Sequence, residues 1–174
     1  MKTVLLLIAI SFSTFSFGQN ITFDQAQNLR KKSLAEVETF LTAKAWSMTE
    51  AEEATADKMG MATFGFNVDQ FDSEKATGWI VFYESSISNN YNRLSIQIHK
   101  PSLYSTFLSR LTPNAYKLKS SKIVDGGIKK VYSNTTTTCV VTTSTSEGTF
   151  TKSTTYSFFF IDNLSYKLNY GDDE

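Results

Sequence analysis

The sequence predicts an α+β protein whose helices pack on one face of an antiparallel sheet. Two segments carry apolar residues at helical spacing, whereas several others alternate apolar and polar residues as half-buried strands do. Short turns containing glycine or asparagine connect neighbouring strands, which favours hairpins. A helix followed by about four strands occurs twice, so we predict tandem α-β-β-β-β repeats over residues 33–99 and 101–161.

The composition is that of a folded chain with one domain. Of the 174 residues, 41% are hydrophobic and 14% are aromatic, which is far from the polar, highly charged profile of a disordered chain. A chain of about this length buries roughly two thirds of its unfolded surface without metal or disulfide staples. We therefore predict a single α+β domain over residues 19–174.

Residues 1–18 have the order of a secretory signal peptide. Lys2 precedes an apolar run over residues 4–10, and the small residues Ser16 and Gly18 suit the −3 and −1 positions of a cleavage site. The alternative, a membrane anchor, would need about 20 apolar residues. We expect cleavage after Gly18, and with it a secreted or periplasmic bacterial protein that keeps no transmembrane anchor.

Two helices are predicted before the first group of strands. A short helix covers residues 24–30. Ser33 and Glu36 form a capping box that opens the second helix, because the serine hydroxyl can accept from a first-turn amide while the glutamate reaches back. The apolar stripe of this second helix consists of Leu34, Val37, Phe40 and Leu41.

The strands of the first unit follow an alternating pattern. We predict strands at residues 61–67, 79–84 and 93–99. In the last of them Leu94, Ile96 and Ile98 alternate with polar residues, so one face is buried and the other faces water. The connection over residues 85–91 contains two consecutive asparagines, which tolerate left-handed backbone and favour a hairpin.

The second unit repeats this order. Its helix is predicted to begin at Pro101, because proline is favoured at the first helical position, and to end before Pro113. Residues 118–124 and 128–133 flank a glycine-containing turn that includes Asp125 and therefore predict a tight hairpin.

The end of the chain is rich in hydroxyl groups. Sixteen of the twenty-five residues in 133–157 are serine or threonine, and the apolar residues among them predict strands at 137–145 and 154–161 with a hydroxyl-rich outer face. Residues 164–170 are predicted as a last strand before a short acidic tail.

Three short motifs resemble uncharacterised secreted proteins of Flavobacteria and other Bacteroidetes. They are residues 16–19 at the end of the leader, the helix exit from Phe40 to Trp46, and residues 131–134 before the threonine-rich strand. This resemblance implies export and supplies no site residues. The tandem layout is also similar to the β-lactamase-inhibitor-protein architecture, in which two helix-plus-four-strand units present a concave sheet to a partner. That similarity concerns fold and carries no function.

Few side chains suited to catalysis are available. Metal sites and acid-base chemistry draw on clusters of His, Cys, Asp and Glu, and this chain has one His and one Cys. We predict His99 on a solvated strand end and Cys139 as a small buried side chain, and we expect neither a metal nor a cofactor. A hydrolase using scattered carboxylates stays open as an alternative, although the acidic residues in 50–57 and 69–74 are interpreted as solvated helix or loop.

Charge is divided unevenly along the chain. Residues 36–84 hold ten acidic and three basic side chains, whereas residues 93–130 hold eight basic and one acidic. Nucleic-acid binding is not expected, because without Lys2 the chain has 16 basic against 17 acidic residues and no recognised motif. The candidate ligand or partner surface consists of the lysines on or beside one hairpin: Lys117, Lys119, Lys122, Lys129 and Lys130. Two alternative explanations stay open: the basic patch faces the acidic part of the chain, or the lysines protect a sheet edge from aggregation.

Together these features predict an exported, non-catalytic binding module that holds a protein or a cell-surface glycan on an open sheet face. The alternatives are the hydrolase named above and a structural or assembly protein of the cell envelope.

Overall fold

The computed structural model describes residues 20–69, 72, 76–147 and 152–171. The predicted signal peptide, residues 1–18, lies outside this part of the chain. Within the described residues, no helix combines the length and the apolar character that crossing a membrane requires.

The described residues contain four α-helices, one 3-10 helix and eight strands. The first half consists of α1 Phe23–Leu29, α2 Leu34–Thr42, β1 Trp46–Glu52, β2 Gly60–Phe66, β3 Gly78–Glu84, a 3-10 helix Asn89–Tyr91 and β4 Arg93–Ile98. The second half consists of α3 Pro101–Ser109, β5 Lys117–Val124, β6 Gly127–Ser133, β7 Thr137–Glu147, β8 Lys152–Asp162 and α4 Asn163–Tyr170.

All eight strands form one antiparallel sheet in the order β1-β2-β3-β4-β8-β7-β6-β5, which confirms the predicted fold class. The last strands of the two halves, β4 and β8, pair at the centre, with Ile96 opposite Phe158 in the middle of the pairing. The first strands of the two halves, β1 and β5, form the two edges. Each helix-plus-four-strand group therefore builds one half of the sheet.

The two halves share local backbone features. Ala45 and Ala115, which lie just before β1 and β5, both have positive φ, 62° and 59°. Both edge strands also carry a bulge near their start, after Met48 in β1 and after Leu118 in β5. These matches agree with a tandem duplication, which stays a prediction.

An aromatic core fills the space between the sheet and helices α1, α2 and α3. Phe23 of α1 meets Phe107 of α3 and Phe160 of β8, with ring centroids 5.8 and 5.3 Å apart. Along β8 the side chains alternate, so that Phe158 and Phe160 enter this core whereas Phe159 packs with a second cluster on the other side. We call the side that carries α1, α2 and α3 the inner face and the opposite side the outer face.

The prediction of a strand at residues 164–170 is wrong, because this segment is helix α4. Asp162 caps the helix, since its Oδ1 accepts a hydrogen bond from the backbone N–H of Ser165 at 2.8 Å. Tyr166 and Tyr170 lie one helical turn apart, with ring centroids 5.3 Å from each other, and Tyr166 packs on the outer-face cluster of Val131, Val140 and Ile161. The predicted helices thus lie on one face, as expected, and α4 covers part of the other.

The acidic residues in 50–57 are interpreted from the sequence as helix or loop, but the first of them belong to strand β1. Glu50 and Glu52 lie on this strand, opposite Thr63 and Met61 of β2. Every residue of β1 after Trp46 is exposed. Because burial imposes the alternation of apolar and polar residues, a strand with both faces in water does not show it.

The capping box predicted at Ser33 is present and makes the start of α2 sensitive to acid. Ser33 Oγ accepts from the backbone N–H of Glu36 at 3.5 Å, and the Glu36 carboxylate accepts from the Ser33 N–H at 3.0 Å. Lys32 Nζ donates to the same carboxylate at 2.8 Å. The hydrogen bond from Lys32, followed by those from Ser33, lowers the pKa of Glu36 from 4.5 to about 2.

We expect this contact to be lost only in strong acid. Because the folded-state pKa lies below the unfolded one, the stabilisation is present above about pH 4.5 and disappears as the pH falls through about 2. Titration of the Glu36 carboxyl by NMR should give a midpoint near pH 2, and Lys32→Gln should move it upward. The neighbouring change Lys31→Gln should leave it nearly unchanged. A wild-type midpoint at or above pH 4.5 would contradict the capping geometry.

Candidate functional site

The structure divides the five candidate lysines between the two faces of the β5–β6 hairpin. Lys117, Lys122 and Lys129 lie on the outer face, and Lys122 is directly opposite Lys129. Lys130 lies on the inner face, opposite the core residue Val141, and Lys119 occupies the bulge of β5. The predicted surface is therefore a group of three lysines on one face, which we call the outer lysine group.

The inner face of the same hairpin is apolar and exposed. Ile123 and Ile128 are cross-strand partners, and 85% and 45% of their surfaces remain accessible. Leu118 is 54% exposed. Helices α1, α2 and α3 therefore do not cover this end of the sheet. Sequence reasoning missed this patch, because apolar residues inside a strand are normally taken as core.

The tip of the hairpin forms as predicted. Asp125 and Gly126 connect β5 to β6, and both have positive φ, 48° and 72°. Two central residues with positive φ define a type I′ turn, whose backbone twist matches the right-handed twist of the two flanking strands. The turn holds the two strands in register and so fixes which lysines share a face.

The outer face of the first half carries half-buried aromatic residues. Trp79 and Tyr83 of β3 point to this side, since they alternate with the core residues Ile80 and Phe82. The Tyr83 ring lies 6.5 Å from Phe159, measured between centroids, in an edge-to-face arrangement. Aromatic side chains of this kind are enriched at binding surfaces.

A groove of about 510 Å³ gathers three glutamates, Glu52, Glu53 and Glu84. Glu84 accepts a hydrogen bond from the backbone N–H of Leu34 at 3.0 Å and so caps α2. Glu52 forms an ion pair with Lys58 in the loop after β1. Two of the three carboxylates therefore support local structure, and the groove offers little to a hydrolase.

The remaining reactive side chains lie apart from one another. His99 is exposed just after β4, whereas Cys139 is fully buried in β7. Burial raises the pKa of the Cys139 thiol, which disfavours the nucleophilic thiolate at neutral pH. In the part of the chain that the structure describes, no three His, Cys, Asp or Glu side chains are placed to hold a metal ion.

Arg30 is a buried charge that the sequence analysis did not single out. It is 3% exposed, and its Nη1 donates to the carbonyl oxygens of Asn90 and Asn92 at 2.6 and 3.1 Å. Burial lowers the pKa of the guanidinium, and the carboxylate of Asp162 opposes that effect. The Arg30 side chain therefore links the end of α1 to the loop before β4, and its burial makes it inaccessible to an external ligand.

Comparison with known proteins assigns the chain to no family. No family model, no curated protein and no solved structure matches it. The resemblance to secreted Bacteroidetes proteins and the similarity to the β-lactamase-inhibitor-protein architecture therefore stay predictions.

Proposed function

We propose that this protein is an exported, non-catalytic binding module that holds an acidic partner, a protein or a cell-surface glycan, on the outer face of its sheet. The observation that carries the proposal is the outer lysine group, in which one face of a hairpin presents Lys117, Lys122 and Lys129. A surface with one sign of charge attracts carboxylates and phosphates over several ångströms. The export step rests on residues 1–18.

The aromatic part of the outer face supports the same function. Trp79 and Tyr83 are half-buried, so each ring keeps accessible surface on which a sugar or an apolar side chain can stack. The outer face therefore combines positive charge at one edge with aromatic rings nearer its other edge.

Binding to an acidic polymer should depend on the outer lysine group. We suggest titrating the purified protein by calorimetry with polygalacturonate and polyglutamate, and with dextran as a neutral polymer. Binding of one acidic polymer is expected, and Lys122→Gln/Lys129→Gln should weaken it by about tenfold, because each lost charge pair contributes up to roughly 1 kcal/mol. Raising the salt concentration should weaken it as well.

A matched double variant controls for the loss of net charge. Lys31→Gln/Lys44→Gln removes two positive charges from the first half of the chain and should leave the affinity almost unchanged. Equal losses in the two double variants, or no binding of either acidic polymer at low salt, would contradict the proposal.

For the alternative of a hydrolase, the groove with Glu52, Glu53 and Glu84 gathers three carboxylates among the described residues. Because Glu84 caps α2 and Glu52 binds Lys58, this groove supports hydrolysis less than the outer lysine group supports binding.

A further inference from the structure

The sheet ends in two edges of opposite charge. Among the described residues β1 and β5 each have one neighbouring strand, and both are exposed along nearly their whole length. The edge at β1 is acidic and the edge at β5 is basic. We propose that copies of this chain associate head to tail, with β5 of one copy pairing with β1 of the next so that the sheet continues from copy to copy.

The strand directions allow this pairing without turning either copy over. Seven antiparallel pairings separate β1 from β5, so the two edge strands run in opposite directions. A second copy placed beside the first in the same orientation therefore presents its β1 antiparallel to β5. The backbone N–H and C=O groups of an edge strand are a template for such a strand.

The charged side chains of the two edges lie on the same face. Glu50 and Glu52 alternate with the inner-face residue Ala51, which is opposite the core residue Ala62, and so point to the outer face. Lys117 and Lys122 are on the outer face of β5. Pairing β5 with β1 would make glutamates and lysines cross-strand neighbours, and opposite charges in these positions stabilise an antiparallel pair.

Apolar side chains match on the inner face in the same way. Met48 of β1 is 41% exposed, and Leu118 and Ile123 of β5 are 54% and 85% exposed. When β5 of one copy pairs with β1 of the next, the inner faces of the two copies lie side by side. These apolar side chains would then pack against one another. Removal of apolar surface from water is the main favourable term in most protein associations.

The charges also decide which edges can pair. Two β1 strands would bring glutamates together and two β5 strands would bring lysines together, and both contacts are unfavourable. Each edge strand also carries a bulge near its start, and beyond it residues 50–52 and 120–124 keep a regular register. Only the unlike edges remain, and a contact between unlike surfaces builds an open chain or a ring of copies instead of stopping at a two-fold dimer.

Sedimentation velocity of the purified protein at low salt tests the inference. The average mass should rise steadily with protein concentration and should not level off at a dimer. It should fall towards that of the monomer at about 1 M salt, where the charge pairs are screened beyond about 3 Å while the apolar contact remains. In electron micrographs, eight strands about 4.8 Å apart predict an advance of about 38 Å per copy.

Charge reversal identifies the two edges. Glu50→Lys/Glu52→Lys makes both edges basic, and Lys117→Glu/Lys122→Glu makes both acidic, so each double variant should remain monomeric. The four changes in one chain exchange the charges of the edges and should restore association. A contact between two β1 edges would not respond to the changes in β5, and a contact between two β5 edges would not respond to those in β1. Restoration by the four changes together is therefore specific to a contact between β5 and β1.

Two further variants complete the series. Ile123→Ser keeps every charge and should weaken association, because it removes an exposed apolar side chain from the proposed contact. Glu38→Lys with Lys31→Glu, on an exposed part of the first half, should associate like the wild type. Circular dichroism confirms that each variant is folded before it is compared.

Three results would overturn the inference: a wild-type monomer at every concentration, a mass that levels off at a dimer, or reversal variants that associate like the wild type. Failure here is separable from failure of the acidic-partner proposal. Glu50→Lys/Glu52→Lys leaves the outer lysine group intact, so it should abolish association while the acidic polymer still binds.

Discussion

Replacing Phe158 with alanine should lower the free energy of unfolding by about 3–5 kcal/mol. Phe158 is fully buried on the inner face of β8, and its ring centroid lies 5.0 Å from that of Phe107 and 5.9 Å from that of Tyr104. Because β8 is a central strand with hydrogen-bonded neighbours on both sides, the backbone cannot close the cavity that the missing ring leaves. Urea unfolding followed by circular dichroism measures the loss.

The next residue along the strand provides the matched control. Phe159 is the same residue type on the outer face, where it is only half-buried against Tyr83 and Tyr170. Phe159→Ala should cost about 1–2 kcal/mol, because less apolar surface is returned to water. Equal losses for the two variants would show that the faces of β8 are assigned wrongly.

Replacing Arg30 with methionine should also lower the free energy of unfolding by about 3–5 kcal/mol. The guanidinium donates to the carbonyl oxygens of Asn90 and Asn92, and its charge lies near the carboxylate of Asp162. Without it, two carbonyl groups and a carboxylate lose their positive partner, and such groups cost free energy when they stay buried. Thermal unfolding at neutral pH detects the change.

An exposed arginine with a single ion pair serves as the comparison. Arg110 Nη2 lies 2.6 Å from Asp24 Oδ2, and both side chains are nearly half exposed. Arg110→Met should therefore cost only about 0–1 kcal/mol. If Arg30→Met lowered the free energy of unfolding as little as Arg110→Met, the hydrogen bonds of Arg30 would not stabilise the contact between α1 and the loop before β4.

Short-range signals predicted several elements correctly. The capping box at Ser33 and Glu36 begins α2, and Pro101 is the first residue of α3. The turn at Asp125 and Gly126 joins β5 to β6. Each of these features depends on residues within four positions of one another, so the local sequence contains all of the physical information that is needed.

The candidate surface was only partly predictable. The sequence identified the lysines of the β5–β6 hairpin, but the bulge at Lys119 changes which side chains share a face. A bulge adds one residue to one strand and reverses the alternation beyond it. Counting residues along the hairpin therefore could not separate the outer lysine group from Lys130.

By itself the sequence determined the class of the fold, the starts of α2 and α3 and the β5–β6 turn, because caps and periodicity act over a few residues. Only the tertiary structure decided that β4 pairs with β8, that β1 and β5 are the edges, and that residues 163–170 form a helix on the outer face. The apolar residues of α4 alternate with polar ones as in a strand, whereas at helical spacing Tyr166 and Tyr170 share one face and Leu164 and Leu168 lie on another. Burial of Tyr166 against β7 and β8, while Leu164 and Leu168 stay 56% and 76% exposed, selects the helix.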